Sequence, residues 1–420
     1  MSQGLRLPPA TDEIDPTAQD DIFSGARPFQ YHLLSATEPE IRLFGLRGQD
    51  CSNSDLGYQL NCELFHVRIS ELPPYEALSY TWGEASDPLH SILLNGQDFR
   101  IRDNLWQVLI HQQSEDEDLL MWIDAICINQ EDVHERNEQV RLMRTIYQTA
   151  QQVTVWLGLE ENDSHRAMLF LRSLEKCGDD EQLALELFKQ PHIAKDLEAL
   201  ICLYDRTYWY RVWIVQEIVL AKYVWVCCGK DFVPWRAFQS ASHWICGSYL
   251  HSELVRLCLS AVSEPGFRGI RSVTRGAMLI EETRHQFRER ELGLLEMALG
   301  SWSREASDPR DFIYGMLGIV NVKASVDIEP DYTKSVARVY IDVATFIVLE
   351  SKRLDILLVV YNQYSQVEGL QSWVPDVWIT GFLKFFVPFP EIPLSHLIRS
   401  LIHSTGAHFT HSAPFTPKTA

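Results

Sequence analysis

The sequence predicts an α/β fold with a parallel sheet core and a largely helical C-terminal extension. Three observations carry that prediction. Between residues 75 and 158, short β-prone apolar runs alternate with stretches of helical period, joined by short connections. The run 119–128 is almost unbroken in apolar residues, as expected of a strand covered on both faces. Beyond Gly158 the period turns helical nearly throughout.

Taken in order, residues 1–27 carry three prolines and five carboxylates between Asp12 and Asp21, which predicts a disordered acidic arm. Residues 28–74 hold N-terminal strands leading into the core, with a Gly/Ser/Asn-rich loop at 47–62 between two of them. A strand at 75–82 closes on the turn Thr81-Trp82-Gly83, and a helix begins near Asp103 or Asn104 as cap. After the strand at 119–128, Asp132 with Glu135 three residues on resembles a capping box, and Val133, Val140, Met143, Ile146 and Tyr147 keep helical spacing behind it. The next strand is 153–158. Residues 164–176, 181–203 and 208–221 read as helices, 223–228 as a strand, and 234–262, 276–300 and 334–351 as helices, with a strand at 354–361. The domain organisation expected is therefore a core at 75–220, a mainly helical extension at 221–380 and an unpatterned, poorly ordered tail at 381–420.

The charge balance excludes whole classes of function. The 420 residues hold 37 Lys plus Arg against 57 Asp plus Glu, a net charge of −20, with no cluster of basic residues. A phosphate-backbone binder needs a basic face, so no nucleic-acid partner is expected. No stretch of eighteen apolar residues and no apolar leader occur, so a cytoplasmic protein without a membrane span is the expectation. The nine cysteines are scattered without C-x-x-C, and His243-x-x-Cys246 stands alone, so no metal site is expected. Glycine-rich phosphate loops, G-x-S-x-G and H-E-x-x-H are absent as well.

Three polar features in apolar surroundings are more informative. Asp124 lies in the apolar run 119–128, where an ionised side chain is costly unless paired, at the end of a strand that would face a ligand crevice in a parallel sheet. Its bland reading is a loop cap or an Arg partner. Trp213 and Glu217 are four apart on one helix face, and a carboxylate beside an indole tends toward a raised pKa; a buried Glu–Arg pair is the alternative. Asp308-Pro309-Arg310-Asp311 opens a helix, with a structural cap as the favoured reading and Arg310 as a bridge to the first domain as the other. Trp82 is read as core ahead of ligand stacking.

At these segments the chain resembles fungal heterokaryon-incompatibility (HET) domain proteins. The matching residues are 75–83 (YEALSYTWG), 103–106 (DNLW), 122–130 (WIDAICINQ), Glu135-Arg136, Gln139-Val140, Met143, Ile146-Tyr147, 155–158 (VWLG) and 211–218 (RVWIVQEI). Downstream, 308–318, 330–332 and 372–376 are similar to segments that often follow the domain. The resemblance implies non-self recognition ending in regulated cell death. It also implies distant kinship with Toll/interleukin-receptor (TIR) domains, hence a flavodoxin-like core. Some TIR domains hydrolyse NAD with one glutamate on a helix, and Glu217 is the residue that matches.

Two functions follow. In the enzymatic one NAD is a substrate rather than a cofactor: Glu217 is catalytic, Trp82 and Trp213 are walls of the site, Asp124 is a ribose contact and Arg136 a phosphate contact. In the other the module has no active site and acts by self-association or with a protein partner.

Overall fold

The computed structural model describes residues 27–48, 60–114, 117–247, 277, 279–300, 304–320, 327–359 and 367–376. The expected acidic arm (apart from Arg27), the loop 264–275 and the tail 381–420 lie outside the described residues.

Among the described residues, nine strands form one mixed sheet. They are β1 (Glu40–Leu46), β2 (Asn61–Arg68), β3 (Glu76–Ser79), β4 (Leu89–Leu94), β5 (Gln97–Arg102), β6 (Leu119–Trp122), β7 (Gln152–Trp156), β8 (Val224–Cys228) and β9 (Asp231–Pro234). Their order across the sheet is β5-β4-β2-β1-β6-β3-β7-β8-β9. The central four, β6-β3-β7-β8, are parallel to one another. In chain order they run second, first, third, fourth, the arrangement of a doubly wound flavodoxin-like sheet, and the order reverses between β3 and β7.

The sheet as a whole is mixed rather than parallel. β1 pairs antiparallel with β6 through Phe44↔Met121, and β9 pairs antiparallel with β8. Residues 28–74 thus supply strands to the same sheet as the core. β6 also stops sooner than the apolar run suggests. The chain leaves the sheet after Trp122 and makes one helical turn, α2 (Asp124–Cys127), after α1 (Asp103–Gln112). A fully buried run has no alternation to separate strand from helix, so periodicity could not place that end.

Helix α3 (Val133–Thr149) buries Met143, Ile146 and Tyr147, and Asp132 caps it by accepting from the amides of His134 and Glu135. Glu135 does not close the capping box. It accepts from Arg42 at 2.6 and 2.9 Å and from the Asn129 amide at 2.6 Å, which ties β1 to α3 across a buried pair. After β7 come α4 (Ser164–Cys177), α5 (Glu181–Phe188), α6 (Ile193–Tyr204) and the short α7 (Ile214–Leu220), all before β8, with α8 (Trp235–Ser242) following β9. The expected single helix at 181–203 is two helices, and 208–221 is a 3-10 turn (Thr207–Tyr210) followed by α7. Residues Asp355–Val359 form a 3-10 helix where a strand was expected. The hairpin β4–β5 turns at Asn95-Gly96, both at positive φ.

Candidate functional site at the carboxyl end of the sheet

β3 is apolar in Ala77 and Leu78 and then presents a hydroxyl, Ser79, at its carboxyl end. That end lies where the strand order reverses. The Ser79 hydroxyl donates to Glu217 Oε2 of α7. With its proton so engaged, Ser79 Oγ accepts from the Tyr208 hydroxyl at 2.7 Å. The result is a buried relay, Tyr208 to Ser79 to Glu217, joining residues far apart in the chain. Every residue of α7 is buried, and Glu217 is 2% exposed.

Two further charges face this relay. Asp124 is the first residue of α2, directly beyond β6. Its Oδ2 accepts from the Trp82 indole at 2.9 Å and its Oδ1 from the Ala125 amide at 2.8 Å. Arg211 reaches Glu217 Oε1 with one nitrogen, Nη2, at 3.9 Å. Its Nη1 is buried without a hydrogen-bond partner among the described residues. This is one long contact, not a two-bond clamp. Trp82, Asp124 and Arg211 are half-buried, whereas Glu217 is buried.

Burial pushes the Glu217 carboxyl up to about 7, against the pull of Arg211 and of the Ser79 hydrogen bond, and the Asp124 charge adds to the rise. Burial also raises the Asp124 carboxyl, with Arg211 and the Trp82 bond opposing. Tyr80, Tyr147 and Tyr208 are pushed upward by burial, so they stay protonated donors at neutral pH. A carboxyl that titrates near neutrality, with a hydroxyl relay behind it and a partly paired cation beside it, suits proton transfer or stabilisation of a developing positive charge.

Of the five residues singled out in the sequence, Glu217, Asp124 and Trp82 gather here. The structure places Arg136 and Trp213 in a second cluster. The Arg136 guanidinium lies 3.9 Å from the centre of the Tyr332 ring. Trp213 is the N-cap of α7, with helical backbone angles, and its indole lies toward the extension, against Gly315 and beside Asp311. Arg310 stays within the extension, bound to Asp308 and to the carbonyls of Tyr332 and Lys334. The sequence reading gave no role to Ser79 or Tyr208. The signal available was a lone hydroxyl at the end of an apolar strand. Among the described residues no three His, Cys, Asp or Glu side chains gather as metal ligands would, and no helix is long and apolar enough to cross a membrane.

Residues 75–217 match the family described as heterokaryon incompatibility protein (HET). The chain carries a HET domain. It is also similar to Heterokaryon incompatibility protein 6, OR allele, of Neurospora crassa, at 29% identity over 425 residues covering 86% of this chain and 61% of the relative. The chain thus spans about three fifths of the length of the curated relative it matches. No solved structure matches. The HET match begins at Tyr75, one residue before β3, and ends on Glu217, inside α7. The relay, Asp124, Trp82 and Arg211 all fall within it. The strands β1 and β2 lie outside the match, yet they extend the HET-domain sheet beyond β6.

Proposed function

We propose that the chain acts in heterokaryon incompatibility, fungal non-self recognition leading to cell death, and that its HET domain does so by hydrolysing NAD or a related nucleotide. The observation that carries this reading is the Glu217 carboxyl, pushed up to about 7 at the reversal of the strand order and held by Ser79 without a bidentate arginine. Ligands of open α/β sheets bind at that place. In the reaction the bond between the ribose C1′ and the nicotinamide nitrogen breaks, the ring leaving with the electron pair as a neutral molecule. Water supplies the new C1′–O bond and loses a proton. The ionised Glu217 stabilises the oxocarbenium character that develops on the ribose. Asp124 and the unpartnered nitrogen of Arg211 face ribose hydroxyls, and Trp82 is one wall. Ligand entry requires side chains around Glu217 to move, since it is 2% exposed.

That same closure favours a second reading, in which the module signals by assembly and Glu217 is structural. A Glu217→Gln variant separates the two. The enzymatic reading expects loss of NAD consumption with the melting temperature nearly kept. Unaltered NAD consumption, or none in the parent protein, removes Glu217 from the catalytic role.

A further inference from the structure

Within the HET match, helix α7 packs on α3, Glu217 bonding Ser79 and Gln216 reaching Met143. The extension holds it as well, at both ends and at Gln216. The Arg304 guanidinium donates to the Trp209 carbonyl at 2.5 Å, and Glu305 pairs with the backbone of 210–212, the Val212 amide donating to the Glu305 carbonyl at 3.0 Å. The Gly318 amide donates to Gln216 Oε1 at 3.2 Å, and Arg284 donates to the Ala221 carbonyl at 2.8 Å. A methyl group on Gly318 would fall 2.5 Å from Gln216 Oε1, so a side chain there would displace the Gln216 amide.

At the start of α7 the ties converge on one side chain. Asp311 accepts from the Tyr332 hydroxyl at 2.6 Å, and the Trp213 indole beside it favours its ionised form. Tyr332 in turn is anchored to α3: its amide donates to Asn137 Oδ1 at 2.9 Å and its ring lies under Arg136. Gly315 backs the Trp213 indole, a methyl group there falling 3.5 Å from the ring. Asp311 therefore joins α7, α3 and the extension, and touches neither Ser79 nor Glu217.

We propose that Asp311, acting through Trp213, is a positioning residue for the Glu217 site. Its place between Tyr332 and the Trp213 indole, which Gly315 backs, sets the rotation and height of the first turn of α7. Four residues on, that turn sets whether the Glu217 carboxylate meets Ser79. The cluster of Asp308, Asp311 and Tyr332 is then the place where a change in the extension is transmitted to the site. This inference rests on the reading of Glu217 as the working group.

The test uses the full chain with Asp311→Asn, Trp213→Phe and Tyr332→Phe. Asp311→Asn loses the acceptor for one of the two donors. Trp213→Phe keeps packing and removes the indole N–H, and Tyr332→Phe keeps the ring under Arg136. Hydrogen exchange is read on peptides covering 209–220 and, as reference, on β3 and β7. Expected is faster exchange, by tenfold or more, confined to 209–220, together with a similar fall in the maximal rate of NAD loss and a KM within twofold. Unchanged exchange at 209–220, or equal acceleration in β3 and β7, overturns the positioning role. So does undiminished NAD loss by Asp311→Asn in a protein whose loss is abolished by Glu217→Gln. If the parent consumes no NAD, the catalytic reading falls, while the exchange measurement still decides whether Asp311 positions α7.

Discussion

Glu217 has no ordinary carboxylate environment, and its stability consequence has a definite sign. Its folded pKa of about 7 lies above the ordinary 4.5, so the folded chain holds the proton more tightly than the unfolded chain. The stabilisation is complete below pH 4.5 and is lost as pH rises through about 7, a change of about 3 kcal/mol. Glu217→Gln removes that dependence. Its unfolding free energy relative to the parent, measured by denaturant titration, should improve by about that amount between pH 4.5 and 7.5. Turnover of NAD, which needs the ionised form, should rise over the same interval. Ser79→Ala removes a hydrogen bond that favours ionisation, so the rising limb of the pH profile should move to higher pH, with a stability loss of about 1–3 kcal/mol. An unmoved limb would mean that Ser79 does not tune the group. At this scale the sequence showed Glu217 and Asp124 through the cost of carboxylates in apolar runs. It did not show Ser79 or Tyr208, because neutral hydroxyls carry no comparable cost and their partners lie more than a hundred residues away.

Elements were legible where local pattern decides them. Alternating apolar runs gave β3, β6 and β7, and helical spacing with an Asp cap gave α3. The hairpin β4–β5 was missed although Asn95-Gly96 is a strong hairpin turn signal, because the helix start at Asp103 drew residues 101–102 into it. The antiparallel β1 beside β6 could not be read at all, since nothing local states which strand pairs with which. What fixes β1 there is the pair of Arg42, fully buried, with Glu135 on α3, supplemented by Arg42 bonds to the carbonyls of His32 and Cys127. Glu135→Ala leaves that guanidinium buried and unpaired. It should cost about 3–5 kcal/mol in unfolding free energy, and a cost below 1 kcal/mol would show that the carbonyls alone suffice.

For the molecule as a whole, the family match and the folded unit do not end together. The match closes on Glu217, whereas α7 is held from 284, 304–305, 311 and 318. A fragment ending at residue 220 should therefore lack a cooperative unfolding transition, and a sharp calorimetric transition in such a fragment would contradict this. The sequence pattern gave the extension as helical but could not reveal that it grips the core, because those grips are mostly side chain to backbone and leave no periodic trace. The separation along the chain also has a temporal meaning. Domains fold as units while they are being synthesised. A nascent chain that has emerged to Leu220 already contains Ser79, Asp124, Arg211 and Glu217, yet it lacks every tie from the extension to the helix that carries the last of them. The ties that hold α7 are complete only after the ribosome has passed residue 332, so the finished site belongs to late synthesis.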